Sequence, residues 1–256
     1  MTLAVGIDIG GTKLAAGLVD TESGEVLRSE RLPTRPERGG AAVLADCVTL
    51  AEELDAGGAP VGVGICEVVD LRGRVVTAET VDWRGLDVAA AFGARRVAVE
   101  SDVRAAAFAE ARLGAGAGFE SFLHIAVGTG ASACLVLGGR PHRGARGNAI
   151  ILGAPPVEQV AAGGTLGDRT ADPAARAGAA TAIGLVVAVL VNELDPAAVV
   201  VGGGLGSSPG FADAIAAALR PAVWWDATRD LPVVVTALGE WGGVIGAALA
   251  AGEARG

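Results

Sequence analysis

The chain has 256 residues, of which 51% are hydrophobic, and a formal net charge of −9. So apolar a chain of this length can bury one large core or two medium ones, which excludes a disordered protein. The negative balance speaks against a general nucleic-acid surface, where clustered lysines and arginines must release counterions. Glycine, alanine and valine are abundant and arginine stands almost everywhere for lysine, a coding bias from which no function follows.

In chain order, hydrophobic periodicity predicts strands over residues 3–9, 13–20 and 25–31 and a helix over 41–54. Strands over 61–65 and 74–77 follow, then a short helix over 86–92, a strand over 96–100 and a helix over 103–113. Gly114, Gly116 and Gly118 weaken any regular element between them and read as a hinge or linker. The pattern then restarts: a strand over 122–127, the Gly128-Thr129-Gly130 turn and a returning strand over 131–137. A long helix over 173–194, a strand over 197–201, a helix over 211–219, a strand over 233–236 and a closing helix over 243–251 complete it. Two similar lobes, each led by a glycine hairpin, predict a ligand cleft between them.

Several features bear on setting. The N-terminus lacks a charged n-region and a small-residue cleavage site, so no signal peptide is expected, and a chain starting on a strand leaves no room for an N-terminal helix-turn-helix. Thr181 to Leu194 reads as too short an apolar run to span a bilayer, since it ends in Asn192-Glu193. Cys47, Cys66 and Cys134 are far apart and odd in number, the usage of a reduced, cytoplasmic protein without a disulfide framework. Arg140, His142, Arg143 and Arg146 form the densest basic cluster, which glycines and a proline interrupt; it reads as a solvated hairpin or a local anion contact rather than a groove binder.

The most informative stretch is Asp8-Ile9-Gly10-Gly11-Thr12-Lys13. A buried strand runs into a glycine turn that gathers a carboxylate, a hydroxyl and the only lysine of the chain, a compact ammonium beside backbone that a phosphate can approach closely. A Walker loop would place Gly-Lys before Ser or Thr and lead into a helix, whereas here Gly-Thr-Lys leads into a strand. The geometry predicted is a β-hairpin phosphate grip; the plainer reading is a hairpin closed by glycines with Lys13 as a solvated charge.

Four stretches recur in one order: Asp8 to Lys13, Val99-Glu100-Ser101-Asp102, Val127-Gly128-Thr129-Gly130 and Val201-Gly202-Gly203-Gly204, with Asp82-Trp83-Arg84-Gly85 between the first two. This set resembles the ROK family of repressors and sugar kinases, over nearly the whole chain. The resemblance implies a two-lobed α/β fold of the hexokinase, Hsp70 and actin type (ribonuclease H-like) with a central cleft. Residues 1–113, completed by 243–256, would form one lobe and 114–242 the other. It implies that Gly10, Gly11, Thr12 and Lys13 grip the phosphates of ATP, that Asp8 holds Mg2+ through water, that Gly128, Thr129 and Gly130 form the second phosphate segment, and that Gly202, Gly203 and Gly204 lie against adenosine. Asp102 would be the catalytic base, orienting an alcohol in line with the γ-phosphate; for an isolated Ser-Asp, a helix N-cap is the plainer role. A homodimer is also implied.

The acceptor side departs from that family. Where a sugar-binding glutamate and a zinc-binding histidine are usual, this chain carries Ile151 and Ala154, and no spaced cysteines follow, so no zinc site is expected. Glu158 matches a later sugar-binding glutamate or is a plain helix-start glutamate. Cys66-Glu67 stands for Pro-Gly and Ser101 for a common asparagine; Glu67 either faces the acceptor or is a solvated loop carboxylate, and Arg104 either adds a polar contact or sits at the surface. The expectation is an ATP- and magnesium-dependent kinase for a modified or amino sugar, or a sugar-like cyclitol, rather than plain glucose. A non-catalytic nucleotide or sugar sensor is the rival. A dinucleotide oxidoreductase built on Val201 to Gly206 lacks the acidic residue due after the next strand.

Overall fold

The computed structural model describes residues 2–55, 57–150 and 172–253. Two five-stranded sheets share one topology. In the first, β1 (Leu3–Ile9), β2 (Lys13–Asp20) and β3 (Val26–Pro33) form an antiparallel meander, and β4 (Val61–Ile65) and β5 (Val97–Ser101) extend it in parallel on the other side of β1, giving the order β3-β2-β1-β4-β5. In the second, β6 (Ser121–Val127), β7 (Ala131–Leu137) and the two-residue β8 (Arg140–Pro141) are the meander, and β9 (Val199–Gly202) and β10 (Val233–Val235) are the parallel extension.

Among the described residues the α-helices are α1 (Gly40–Leu54), α2 (Asp102–Leu113), α3 (Pro173–Leu194), α4 (Phe211–Leu219), the single turn α5 (Asp226–Arg229) and α6 (Gly242–Glu253). They stack in layers. Helix α1 packs its Val43, Leu44, Cys47 and Leu50 on Val5, Ile7 and Ile9 of the first sheet. The other face of that sheet meets α6 and the Phe108 side of α2. The opposite side of α2, through Val103 and Ala107, packs on Phe122, Cys134 and Val200 of the second sheet, whose far face carries α3 and α4. The strand period of two decides the division, because alternate residues of β1 face opposite layers.

Layer spacing is set by missing side chains. A Cβ on Gly6 would lie 1.9 Å from the Val244 carbonyl oxygen and one on Gly62 1.7 Å from that of Ala247, so α6 rests on backbone rather than on side chains. Helix α3 starts where the sequence marks it: Pro173 occupies its first turn and the Asp172 side chain accepts from the Ala175 N–H.

Some expectations change. The strand expected over 74–77 is an isolated bridge between Val69 and Val75, and the helix expected over 86–92 is a 3-10 turn at Ala90–Phe92. Residues 114–118 do not form a loose linker: the Gly114 and Gly116 N–H groups donate to the Glu110 carbonyl, and a Cβ on Gly116 would fall 2.4 Å from the Phe122 ring. Helix α3 begins well before Thr181 and, at 22 residues, is long and apolar enough to cross a membrane by length and composition. In this fold, its Ile183, Val187 and Val191 lie in the core against α4 and the second sheet.

Candidate functional site

Asp8 lies on the face of β1 that meets α6, among residues that are otherwise small. A Cβ on Gly243, in the first turn of α6, would come within 2.5 Å of Asp8 Oδ2. Gly64 pairs with Asp8 across the sheet, and a Cβ there would touch both Asp8 Oδ1 and the Asp102 Cα, at 3.6 and 3.5 Å. The strand ends of β1 and β5 thus bring two carboxyls together with only a glycine between. Each keeps a partly accessible tip. Burial lifts the Asp8 carboxyl to about 6, against the pull of Lys13. Burial and then the nearby charge of Asp8 lift Asp102 to about 7, opposed by the Val103 N–H that donates to Asp102 Oδ1. Two neighbouring carboxyls, one raised by burial and the other by burial and its neighbour's charge, mark a site prepared for a cation or a proton transfer.

The capping role weighed for Ser101 is not what its side chain does. Ser101 is the N-cap of α2 but makes no side-chain capping bond, and its buried hydroxyl has no partner among the described residues. Glu67 is a correction. Its buried carboxylate accepts from Thr77 Oγ1 at 2.5 Å and from the N–H groups of Glu79, Thr80 and Val81 at 3.1, 2.7 and 3.3 Å. With both oxygens occupied it organises the 77–81 loop instead of offering a free carboxylate to an acceptor. Cys66 stands between the two parts; burial first and then Asp102 push its thiol up to about 12, so it is neutral.

Arg104 is also a correction, being fully buried. It bridges Glu100 at 2.5 Å, donates to the Val69 carbonyl at 2.7 Å and to the Gly147 carbonyl at 2.5 Å, tying the start of α2 to two loops. Ile151, Ala154 and Glu158 fall outside the described residues.

In the first turn the Gly10 N–H donates to the Lys13 carbonyl at 2.9 Å, closing the hairpin. Thr34, wholly buried, clamps it: its hydroxyl donates to the Gly10 carbonyl at 2.7 Å and its N–H to the Thr12 carbonyl at 3.0 Å. Nothing local in the sequence singles out Thr34. Thr12 and Lys13 are exposed, and Lys13 Nζ lies 3.3 Å from Glu240, which also pairs with Arg31 at 2.6 Å.

The second turn closes through a Gly128 N–H to Gly130 carbonyl bond at 2.8 Å, and open space surrounds the Cα of both glycines. The Gly202–Gly204 segment is attached to it. The Leu205 and Gly206 N–H groups donate to the Val127 carbonyl, and Gly203, at φ 82°, approaches so closely that a Cβ would lie 2.4 Å from that oxygen. Gly203 is the position here that needs glycine on both counts. The structure therefore joins Asp8 with Asp102, and Gly128 to Gly130 with Gly202 to Gly204.

The ROK family model matches residues 4–170 and 157–254. A glucokinase of Streptomyces coelicolor is 36% identical over 162 residues, covering 60% of this chain and 49% of that one. A bifunctional NanE/NanK enzyme of Brucella melitensis is 33% identical over 280 residues, covering 94% and 52%. The chain thus spans about half the length of the curated relatives it matches. A ROK glucokinase from Streptomyces griseus, solved with glucose and AMPPNP, superposes with a TM-score of 0.82 at 28% identity over 98% of this chain and 100% of that one. A ROK hexokinase from Thermus thermophilus gives 0.76 at 31% identity, over 98% of each.

Proposed function

The chain belongs to the ROK family, and from that premise we propose that it transfers the γ-phosphoryl group of ATP to a hydroxyl of a hexose-like acceptor, with Asp102 as the base. The observation that carries this is the pairing of Asp8 and Asp102 across Gly64, which leaves Asp102 with a carboxyl near 7 beside a Ser101 hydroxyl that has no partner among the described residues. A base with that affinity can accept the alcohol proton as transfer proceeds. Magnesium, when bound, neutralises charge developing on the phosphates, and Asp8 is the carboxylate placed to hold it through water. The backbone of Gly10 to Thr12 and the Lys13 ammonium would take the phosphates from one sheet and Gly128 to Gly130 from the other. Gly202 to Gly204 would leave room for adenosine.

The residues fit that nucleotide. The second turn is open, and among the described residues Lys13 is paired with exposed Glu240 alone and the Asp8 carboxyl is desolvated with no hydrogen bond holding it down. The Streptomyces griseus relative was solved with an ATP analogue and glucose. For the acceptor, the replacements Ile151 and Ala154 favour a modified or amino sugar, or a cyclitol, over glucose. Glu158 is kept as a second acceptor contact.

Residues 1–113 with 243–256 would close as one lobe on 114–242. The protein would work as a cytoplasmic homodimer that uses α3 for self-association, because Leu185 and Val189 are exposed on one helix face, and Trp224, 86% exposed, is held beside it by Asn192.

Labelled ATP offered with glucose, amino sugars and cyclitols tests the reading. Transfer to a member of the last two groups is expected, and Asp102→Asn should lower kcat by roughly 100- to 10,000-fold while leaving ATP affinity nearly unchanged. Normal turnover by that variant would overturn the base assignment; tight ATP binding with no transfer to any acceptor would favour the sensor.

A further inference from the structure

A cavity of about 320 Å³ has neither Asp8 nor Asp102 in its wall. Ala98 and Glu100 of β5, Arg104 and Phe108 of α2, Arg140 and Arg143 from β8 and the loop after it, and Glu253 of α6 form its walls. Its chemistry is two-sided. Phe108 with alanines of all three packed elements makes an apolar floor, and guanidinium groups ring the rest.

Four arginines and two carboxylates form two ion-paired groups here, with Arg112 just outside the cavity wall. Arg104 and Arg143 pair with Glu100 at 2.5 and 2.7 Å, Arg112 pairs with Glu253 at 2.7 Å, and Arg140 pairs with the other oxygen of Glu253. The charged groups of the wall, Arg104, Arg140, Arg143, Glu100 and Glu253, leave one positive charge in excess, 3 − 2, in a chain whose net charge is −9. Arg143 keeps a buried Nε without an acceptor among the described residues, and Arg140 and Arg112 both lie over the Phe108 ring, at 5.4 and 5.6 Å. Arg140 and Arg143 come from the basic run that the phosphate and acceptor chemistry of the cleft does not use.

We propose that this cavity is a second ligand site, selective for a small phosphomonoester with an apolar body. The wall carries an excess of positive charge, guanidinium forks donate to phosphate oxygens in pairs, and Phe108 supplies a face for the organic part. The free Nε of Arg143 and the fork of Arg140, which is 63% exposed and therefore able to swing, are the groups that would take the oxygens.

The test is a calorimetric titration of the full chain at pH 8 with phenyl phosphate, the cleft being saturated with a non-hydrolysable ATP analogue and magnesium. Saturable one-site binding is expected, at least ten-fold tighter than benzoate, which shares the ring and carries one charge. Arg140→Ala, at a largely exposed side chain that folding does not depend on, should weaken it ten-fold or more, and Arg143→Ala at least as much. Lys13→Ala, which alters only the cleft, should leave it unchanged, so the outcome does not depend on whether the cleft is a kinase site. Absence of saturable binding, equal affinity for benzoate, insensitivity to Arg140→Ala or loss with Lys13→Ala would each overturn the proposal.

Discussion

Asp102 has a carboxyl that burial and Asp8 hold near 7, against 3.8 for an unhindered aspartate. The raised value has opposite consequences for catalysis and stability. Transfer needs the ionised base, so kcat/KM should rise with pH along an acid limb centred near 7 and then level off, read from initial rates at fixed magnesium and ATP. Stability runs the other way. The folded state holds its proton more tightly than the unfolded chain, so the contribution is complete below about 4 and is lost as pH rises through about 7. Asp8, lifted to about 6, adds to this over a narrower window. Asp102→Asn removes the larger part, so at pH 8 its melting temperature should exceed that of the parent, by on the order of a few kcal/mol in stability, and the two should converge at pH 5. Convergence at pH 8 instead would mean the charge is not buried as described.

At the scale of elements, the Gly10–Thr12 turn shows how a two-strand hairpin depends on a residue outside it. Thr34, just beyond β3, holds the carbonyls of Gly10 and Thr12. Thr34→Val keeps the shape and removes one hydroxyl donor, a loss of about 1 kcal/mol. The expected signature is a several-fold rise in KM for ATP with KM for the acceptor unchanged, because only the nucleotide grip loosens. An equal change in both constants would point to general unfolding. The second turn is held differently, by Val127 and the Gly203 close approach, so its rigidity resides in backbone contacts that no side-chain truncation removes.

The two sheets join as one molecule at Glu110. Its buried carboxylate accepts from Ala115 N–H at 2.7 Å, on the passage from α2 to β6, and from Leu238 N–H at 3.3 Å and the Thr236 hydroxyl on the passage from β10 to α6. Both chain crossings between the sheets are thus fastened to one side chain. Glu110→Ala should cost about 3 kcal/mol, seen as a lower denaturation midpoint, since it leaves several buried donors unmatched. His124 lies in the same layer, with burial pushing it down to about 4 and neither ring nitrogen partnered among the described residues. Its effect on stability opposes that of Asp102: it is lost as pH falls from 6.5 through 4. Self-association belongs to this scale too. Val189→Glu, on the exposed face of α3, should convert a dimer to monomers in sedimentation velocity without lowering the melting temperature; an unchanged sedimentation coefficient would exclude that face.

Much was legible in advance because it is local. Strand and helix periods located the elements, and the ordered glycine, Ser-Asp and Gly-Gly-Gly motifs marked the turns on the structure's two matching sheets. The strand at 74–77 and the helix at 86–92 misled because short apolar runs carry little positional information when a loop is held instead by Glu67. The sequence by itself determined the two hairpin turns, the strand-end position of Asp102 and the absence of bulky side chains at Gly6, Gly62 and Gly203, each a matter of spacing or residue size. Only the tertiary structure decided which carboxyls meet, that Glu67 and Arg104 face inward, and that Thr34 and Glu110 hold distant segments. Those roles depend on hydrogen bonds between residues far apart in the chain, and no local period records which donor a buried oxygen will find.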